Sequence, residues 1–145
     1  MSLPVPEAGL VICYSYLWRS EYEQGREEGT KDRPCAIVLT ATSAEGRIIV
    51  TVVPVTHSQP ATPDEAVEIP LLTKQRLGLD AARSWAVVSE INRFVWPGSD
   101  LRPVSGDTPD RFHYGFLPPS LFRQIKERLT ATAKAQRLKG VSRTE

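Results

Sequence analysis

The sequence predicts a mainly β protein, a small and strongly curved antiparallel barrel with one C-terminal helix. Three observations lead there. Short runs rich in β-branched residues recur at strand length. The 12 prolines argue against a helical bundle and for short elements separated by turns. One apolar stripe at helical spacing stands near the C-terminus.

The 145 residues fit a single domain with a sizeable core. Lys and Arg number 18 against 17 Asp and Glu, so a net charge of +1 argues neither for nor against a nucleic-acid partner. Charge is uneven along the chain. Glu21, Glu23, Glu27, Glu28 and Asp32 precede Arg33, whereas Lys126, Arg128, Lys134, Arg137, Lys139 and Arg143 crowd the end. Both groups read as solvated surface, although a basic tail can also attract an acidic partner or RNA. Cys13 and Cys35 lie inside apolar runs and read as buried free thiols. No disulfide framework or metal-ligand spacing such as C-x-x-C is present, so neither metal nor cofactor is expected. No apolar run has the length of a membrane span and no signal peptide is visible, so the expected location is the cytoplasm.

Residues 1–8 form a loose start with Pro4 and Pro6. Gly9 opens a strand over residues 10–16. Residues 19–32 read as a polar, charged loop with Gly25 and Gly29, long enough to suggest a functional role. Two apolar runs follow, at residues 33–40 and 48–56, with turn chemistry between them at residues 41–46. Paired as an antiparallel hairpin with the turn centred near Ala44 and Glu45, they set Arg33 roughly opposite Thr56. Residues 57–65 are a connection with Pro60 and Pro63, and Val67-Glu68-Ile69 is a short edge strand ended by Pro70. Residues 71–79 suit one or two helical turns closed near Gly78. Residues 84–89 form a strand that places Trp85 in the core, and residues 92–96 either continue it or pair separately. The turn Trp96-Pro97-Gly98 makes Trp96 the tryptophan expected to be exposed. The helix begins at Leu117-Pro118-Pro119-Ser120, since proline fits a first turn, and buries Leu121, Phe122, Ile125 and Leu129. Beyond Thr130 the pattern decays, and residues 130–145 are expected to be a frayed basic tail.

The hairpin brings a guanidinium, a hydroxyl and an imidazole to one end of a sheet, a combination suited to a phosphate. Arg33 offers a planar fork of charge-assisted donors that stays protonated. Thr56 can orient a phosphate oxygen. His57 is the natural proton carrier, with a solvent-facing loop histidine as the plainer reading. His113, between Phe112 and Tyr114, reads as structural. Glu90 acts as a base only if its strand turns it toward Arg33; otherwise it is a surface carboxylate or a partner for Arg83 or Arg93. Trp18, Tyr22, Trp85, Phe94 and Trp96 include possible stacking platforms for bases.

With these residues in this order the chain resembles the MazF/PemK family of toxins from toxin–antitoxin systems, the PemK-like growth inhibitors. The resemblance rests on Gly9 before an apolar strand, the acidic loop leading into Lys31-Asp32-Arg33-Pro34, the strand at residues 35–39, the segment Val53-Pro54-Val55-Thr56 and the terminal helix. It spans residues 9–129 and is specific over residues 9–58. It implies an SH3-like barrel of the MazF, PemK and CcdB type, commonly a homodimer. It implies an mRNA interferase, a metal-independent endoribonuclease that cuts single-stranded RNA by attack of a 2′-hydroxyl on the adjacent phosphate. It also implies a cognate antitoxin peptide that covers the site. By position Arg33 and Thr56 match the family's active-site pair, with His57 beside them, and Lys31, Trp18, Ser58 and Glu90 fall to substrate binding. The chain departs from the family pattern where His57 precedes Ser58, and where Ser89-Glu90 replaces an Asp-Gln pair. In a strand a displacement of one residue exchanges faces. The alternative is a catalytically silent barrel that binds RNA or an antitoxin-like peptide. A gyrase poison of the related type carries a tryptophan near its end, and this chain ends Ser142-Arg143-Thr144-Glu145.

Overall fold

The computed structural model describes residues 3–29, 31–104 and 111–143. The expectations at residues 1–2, at residue 30 of the charged loop, and at the last two residues of the basic tail lie outside the described residues. In chain order the elements are β1 (Leu10–Tyr14), α1 (Arg19–Glu23), β2 (Arg33–Thr42), β3 (Ile48–Thr56), a 3-10 turn (Pro63–Glu65), β4 (Ala66–Glu68), α2 (Leu71–Leu77), β5 (Trp85–Val87), β6 (Glu90–Val95), β7 (His113–Phe116), α3 (Pro119–Lys134) and β8 (Lys139–Ser142).

Among the described residues the strands make one mainly antiparallel sheet of 8 strands: six in the order β4-β5-β3-β2-β1-β7, with β6 against β3 and β8 against β6 off this path. β3 serves two partners along one edge. Its first half pairs with β6, from Ile49 opposite Val95 to Val52 opposite Asn92, and its end pairs with β5 through Val55 and Thr56. β2 and β3 pair from Cys35 opposite Pro54 to Thr42 opposite Ile48, with a register shift between Ile37 and Leu39. The turn is narrow: Gly46 donates its N–H to the Ser43 carbonyl at 3.0 Å and takes φ 82°, a conformation glycine adopts without penalty.

Both faces of β1, β2 and β3 are covered. Val11, Ala36, Val38, Val53 and Val55 face one core, together with Leu121 and Ile125 of α3. Leu10, Ile12, Cys35, Ile37, Val50 and Val52 face a second core, with Tyr14, Phe94 and Phe112. That double burial explains why these runs are continuously apolar rather than alternating. Cys13 and Cys35 are both buried and free, and Trp85 is buried as expected.

Four expectations are corrected. The sheet does not close into a barrel: no ladder joins its outer strands among the described residues. Helices stand beside them instead, with Leu77 of α2 3.1 Å from where a side chain on Gly115 of β7 would begin, and Arg128 of α3 donating to Pro63 and Ala66 carbonyls at the start of β4. The charged loop contains the short helix α1, capped by the Glu21 carboxylate, which accepts the Trp18 N–H at 3.1 Å. Trp96 is half-buried, because its ring packs against Phe94 at 6.1 Å.

The fourth concerns the tail. Rather than fraying after Thr130, α3 continues to Lys134, and β8 then pairs in parallel with β6. Val141 is buried, and so is Arg143. The guanidinium of Arg143 donates to the carbonyls of Ser15 (2.9 Å) and Glu27 (3.1 Å), to Asn92 Oδ1 (3.3 Å), and to the Asp100 carboxylate (2.6 Å). A single arginine thus ties β1, the charged loop, β6 and the segment after it to the last strand. Removing one partner of a buried ion pair costs about 3–5 kcal/mol, here with Arg102 remaining 3.7 Å from Asp100. Arg143→Met should lower the free energy of unfolding in urea by about that amount. A loss below about 1 kcal/mol would show that this network holds nothing.

Candidate functional site

β2 and β3 end side by side where the second core runs out. Continued by two residues, the register that pairs Cys35 with Pro54 brings Arg33 beside Thr56. Alternation puts Arg33 on the face of Cys35 and Ile37, and Thr56 on the face of Val50 and Val52. β1 flanks the pair, with Tyr14 opposite Arg33. Arg33 is only 9% exposed. Its guanidinium lies 5.0 Å from the ring centre of Trp18, and Nη1 reaches the Val55 carbonyl at a long 3.4 Å. Nε is buried with no partner, and no carboxylate lies within ion-pair distance, among the described residues. The neighbouring Asp32 leans instead toward Arg102, at 3.6 Å. A buried cation that keeps unused donors is costly unless an anion supplies acceptors.

Two cavities meet at this pair. One, of about 520 Å³, is lined by Arg33, Thr56 and His57 together with Lys31, Asp80 and Arg111. The other, of about 360 Å³, shares Lys31, Arg33, Thr56 and His57 and adds Trp18 and Ser58. Six of the seven residues singled out from sequence therefore line a common opening. The Thr56 hydroxyl oxygen accepts the Ser58 N–H at 3.1 Å, which leaves its own O–H free to donate. His57 is exposed, and its Nε2 lies 2.8 Å from Oδ2 and 3.1 Å from Oδ1 of Asp80.

The seventh residue, Glu90, does not line either cavity. Its Oε1 accepts the Tyr16 O–H at 3.2 Å and the Arg19 N–H at 3.0 Å, so it anchors the entry to α1. Neither Arg83 nor Arg93 is its partner: Arg83 clamps Glu68 through two bonds of 2.8 Å. His113 is half-buried on β7, and its Nδ1 has no partner among the described residues.

Sequence reasoning passed over Asp80, Lys74 and Arg111. Lys74 is 2% exposed and donates to Asp80 Oδ1 at 2.8 Å, to Ser84 Oγ at 2.6 Å and to the Ala82 carbonyl. That hydrogen bond, reinforced by the charges of Lys74 and His57, holds the Asp80 carboxyl below its ordinary range. Nothing in a lone lysine of a short helix signals such burial. Burial pushes the Cys13 and Cys35 thiols up, so neither is an activated nucleophile. Among the described residues no group of three or more His, Cys, Asp or Glu side chains is placed to hold a metal ion, and no helix is long and apolar enough to cross a membrane. No protein-family model matches the chain, and no curated protein matches it.

Burial raises the Glu90 carboxyl above its ordinary value, against the opposing hydrogen bonds from Arg19 and Tyr16. A group raised on folding stabilises the fold fully below its unfolded value, and this share is lost as pH rises through the folded value. The contribution of Glu90 therefore declines from about pH 4.5 upward. Glu90→Gln keeps an acceptor for both donors and removes the titration. Its urea midpoint should equal or exceed that of wild type at about pH 7, with the advantage shrinking toward about pH 4. A variant that is weaker at neutral pH would contradict this account.

Proposed function

We propose that the chain is a metal-independent endoribonuclease acting on single-stranded RNA, built on an SH3-like sheet and related to the MazF/PemK toxins. The observation that carries this reading is Arg33, a mostly buried guanidinium without an acid partner among the described residues, set beside Thr56 and His57 at an opening. The phosphate between two nucleotides supplies the acceptors that Arg33 lacks. Nη2 donates to a non-bridging oxygen, and the free Thr56 O–H orients one of them. His57 takes the proton of the neighbouring 2′-hydroxyl, whose oxygen attacks phosphorus. The bond to the 5′-oxygen breaks, and that oxygen takes a proton from water. The products are a 2′,3′-cyclic phosphate and a 5′-hydroxyl.

Lys31 and Arg111 extend the cationic rim along the strand, and Trp18 and Ser58 line the second cavity, where a flanking nucleotide fits. The same reading makes a homodimer and an antitoxin peptide the expected protein partners. Arg33 reads as the charge-stabilising group, and removing one such donor costs about 10²–10³ in rate. Purified protein should cut an unstructured RNA oligonucleotide in the presence of EDTA, and a 2′-deoxy residue at the cut position should block it. Arg33→Ala should fall by at least about a hundredfold while keeping its far-UV circular dichroism. RNA that is bound but stays intact would assign the chain to the silent binding module instead. RNA neither bound nor cut would remove both.

A further inference from the structure

His57 and Asp80 are 23 positions apart, and their contact is made by the fold alone. α2 ends at Gly78, which takes φ 72° and reverses the chain. The reversal carries Asp80 back over Lys74, one turn inside the helix. There the Lys74 ammonium spends its three donors on Asp80 Oδ1, the Ala82 carbonyl and Ser84 Oγ. The Ala82 N–H adds a second bond to Asp80 Oδ1, at 3.1 Å. An exposed histidine–carboxylate pair is ordinarily loose. The side chains of His57 and Asp80 are 54% and 56% exposed, but the carboxylate between them and the core is braced by a lysine that is 2% exposed.

We propose that Asp80, braced by Lys74, is the positioning residue that fixes His57 with Nε2 as donor and Nδ1 as the atom that receives the 2′-hydroxyl proton. A carboxylate only accepts hydrogen bonds, so the nitrogen 2.8 Å from it carries the hydrogen. The other ring nitrogen then holds the lone pair. This assignment rests on the ribonuclease reading above and makes the step definite. The 2′-O–H proton moves to Nδ1 as the 2′-O–P bond forms and the P–O5′ bond breaks. Water protonates the departing 5′-oxygen, and the imidazolium returns its Nδ1 proton to solvent. Neither Asp80 nor Lys74 touches the RNA in this step.

Two measurements test it. In steady-state cleavage of an RNA oligonucleotide, Asp80→Asn should lower kcat at least about tenfold with KM unchanged, and Asp80→Glu should restore part of it. In a His57→Gln background, Asp80→Asn should have no further effect, because it acts only through His57. The second measurement needs no activity. The chain has 2 histidines, so a long-range 1H–15N spectrum at about pH 8.5 resolves each ring, with His57→Gln assigning them. Wild-type His57 should show a single tautomer with hydrogen on Nε2, and Asp80→Ala should draw its two nitrogen signals together as tautomers mix. Wild-type kcat in Asp80→Asn, an equal loss in the His57→Gln background, or an unchanged nitrogen spectrum would each overturn the proposal. Wild-type protein that never cleaves RNA removes the ribonuclease reading. The nitrogen spectrum then decides the His57–Asp80 pairing by itself, and the proton-transfer role falls with the activity.

Discussion

The ladder between β2 and β3 positions everything else at the candidate site. Its pairing runs from Thr42 opposite Ile48 down to Cys35 opposite Pro54, and the next side chains on the face of Cys35 and Pro54 are those of Arg33 and Thr56. A slip of one residue would move every side chain of one strand to the opposite face. Both faces are buried, so such a slip would exchange two full sets of core contacts, which holds the register firmly. The shift between Ile37 and Leu39 lies toward the turn. It turns Leu39 to solvent, at 52% exposure, without disturbing the end that carries Arg33.

Two buried arginines show how differently one residue type can be used. Arg143 meets acceptors on four segments of chain, with the Asp100 carboxylate at 2.6 Å. Its charge is spent on the fold. Arg33 is nearly as buried but has a ring face at 5.0 Å and one carbonyl at 3.4 Å. A guanidinium left with spare donors beside a cavity is poorly compensated by the fold itself. The division of labour extends to the carboxylates. Asp100 neutralises Arg143, Glu90 secures the entry to α1, and Asp80 meets both Lys74 and His57.

Much of this was legible in advance. The hairpin register followed from two runs of β-branched residues around one turn, because centring the turn near Ala44 and Glu45 sets which residues face each other. α2 and its Gly78 stop, the start of α3, and the buried thiols followed from equally local rules. α1 was not legible. A five-residue helix with one aromatic among charged and polar residues has no apolar stripe, and its start is capped by the Glu21–Trp18 contact. Nor was β8, whose four residues include only one buried apolar side chain. Its place is set by the needs of Asp100 and Asn92, two buried groups far away in sequence.

By itself the sequence determined the β-rich class, the central hairpin and the proximity of Arg33, Thr56 and His57, because strand propensity, turn chemistry and alternation act over a few neighbouring residues. Only the tertiary structure decided that the sheet stays open, that the tail becomes a strand, that Glu90 turns away and that Asp80 comes to His57. Those outcomes depend on which donors and acceptors are matched across 23 to 128 positions. Matching at that range is a property of the packed chain as a whole.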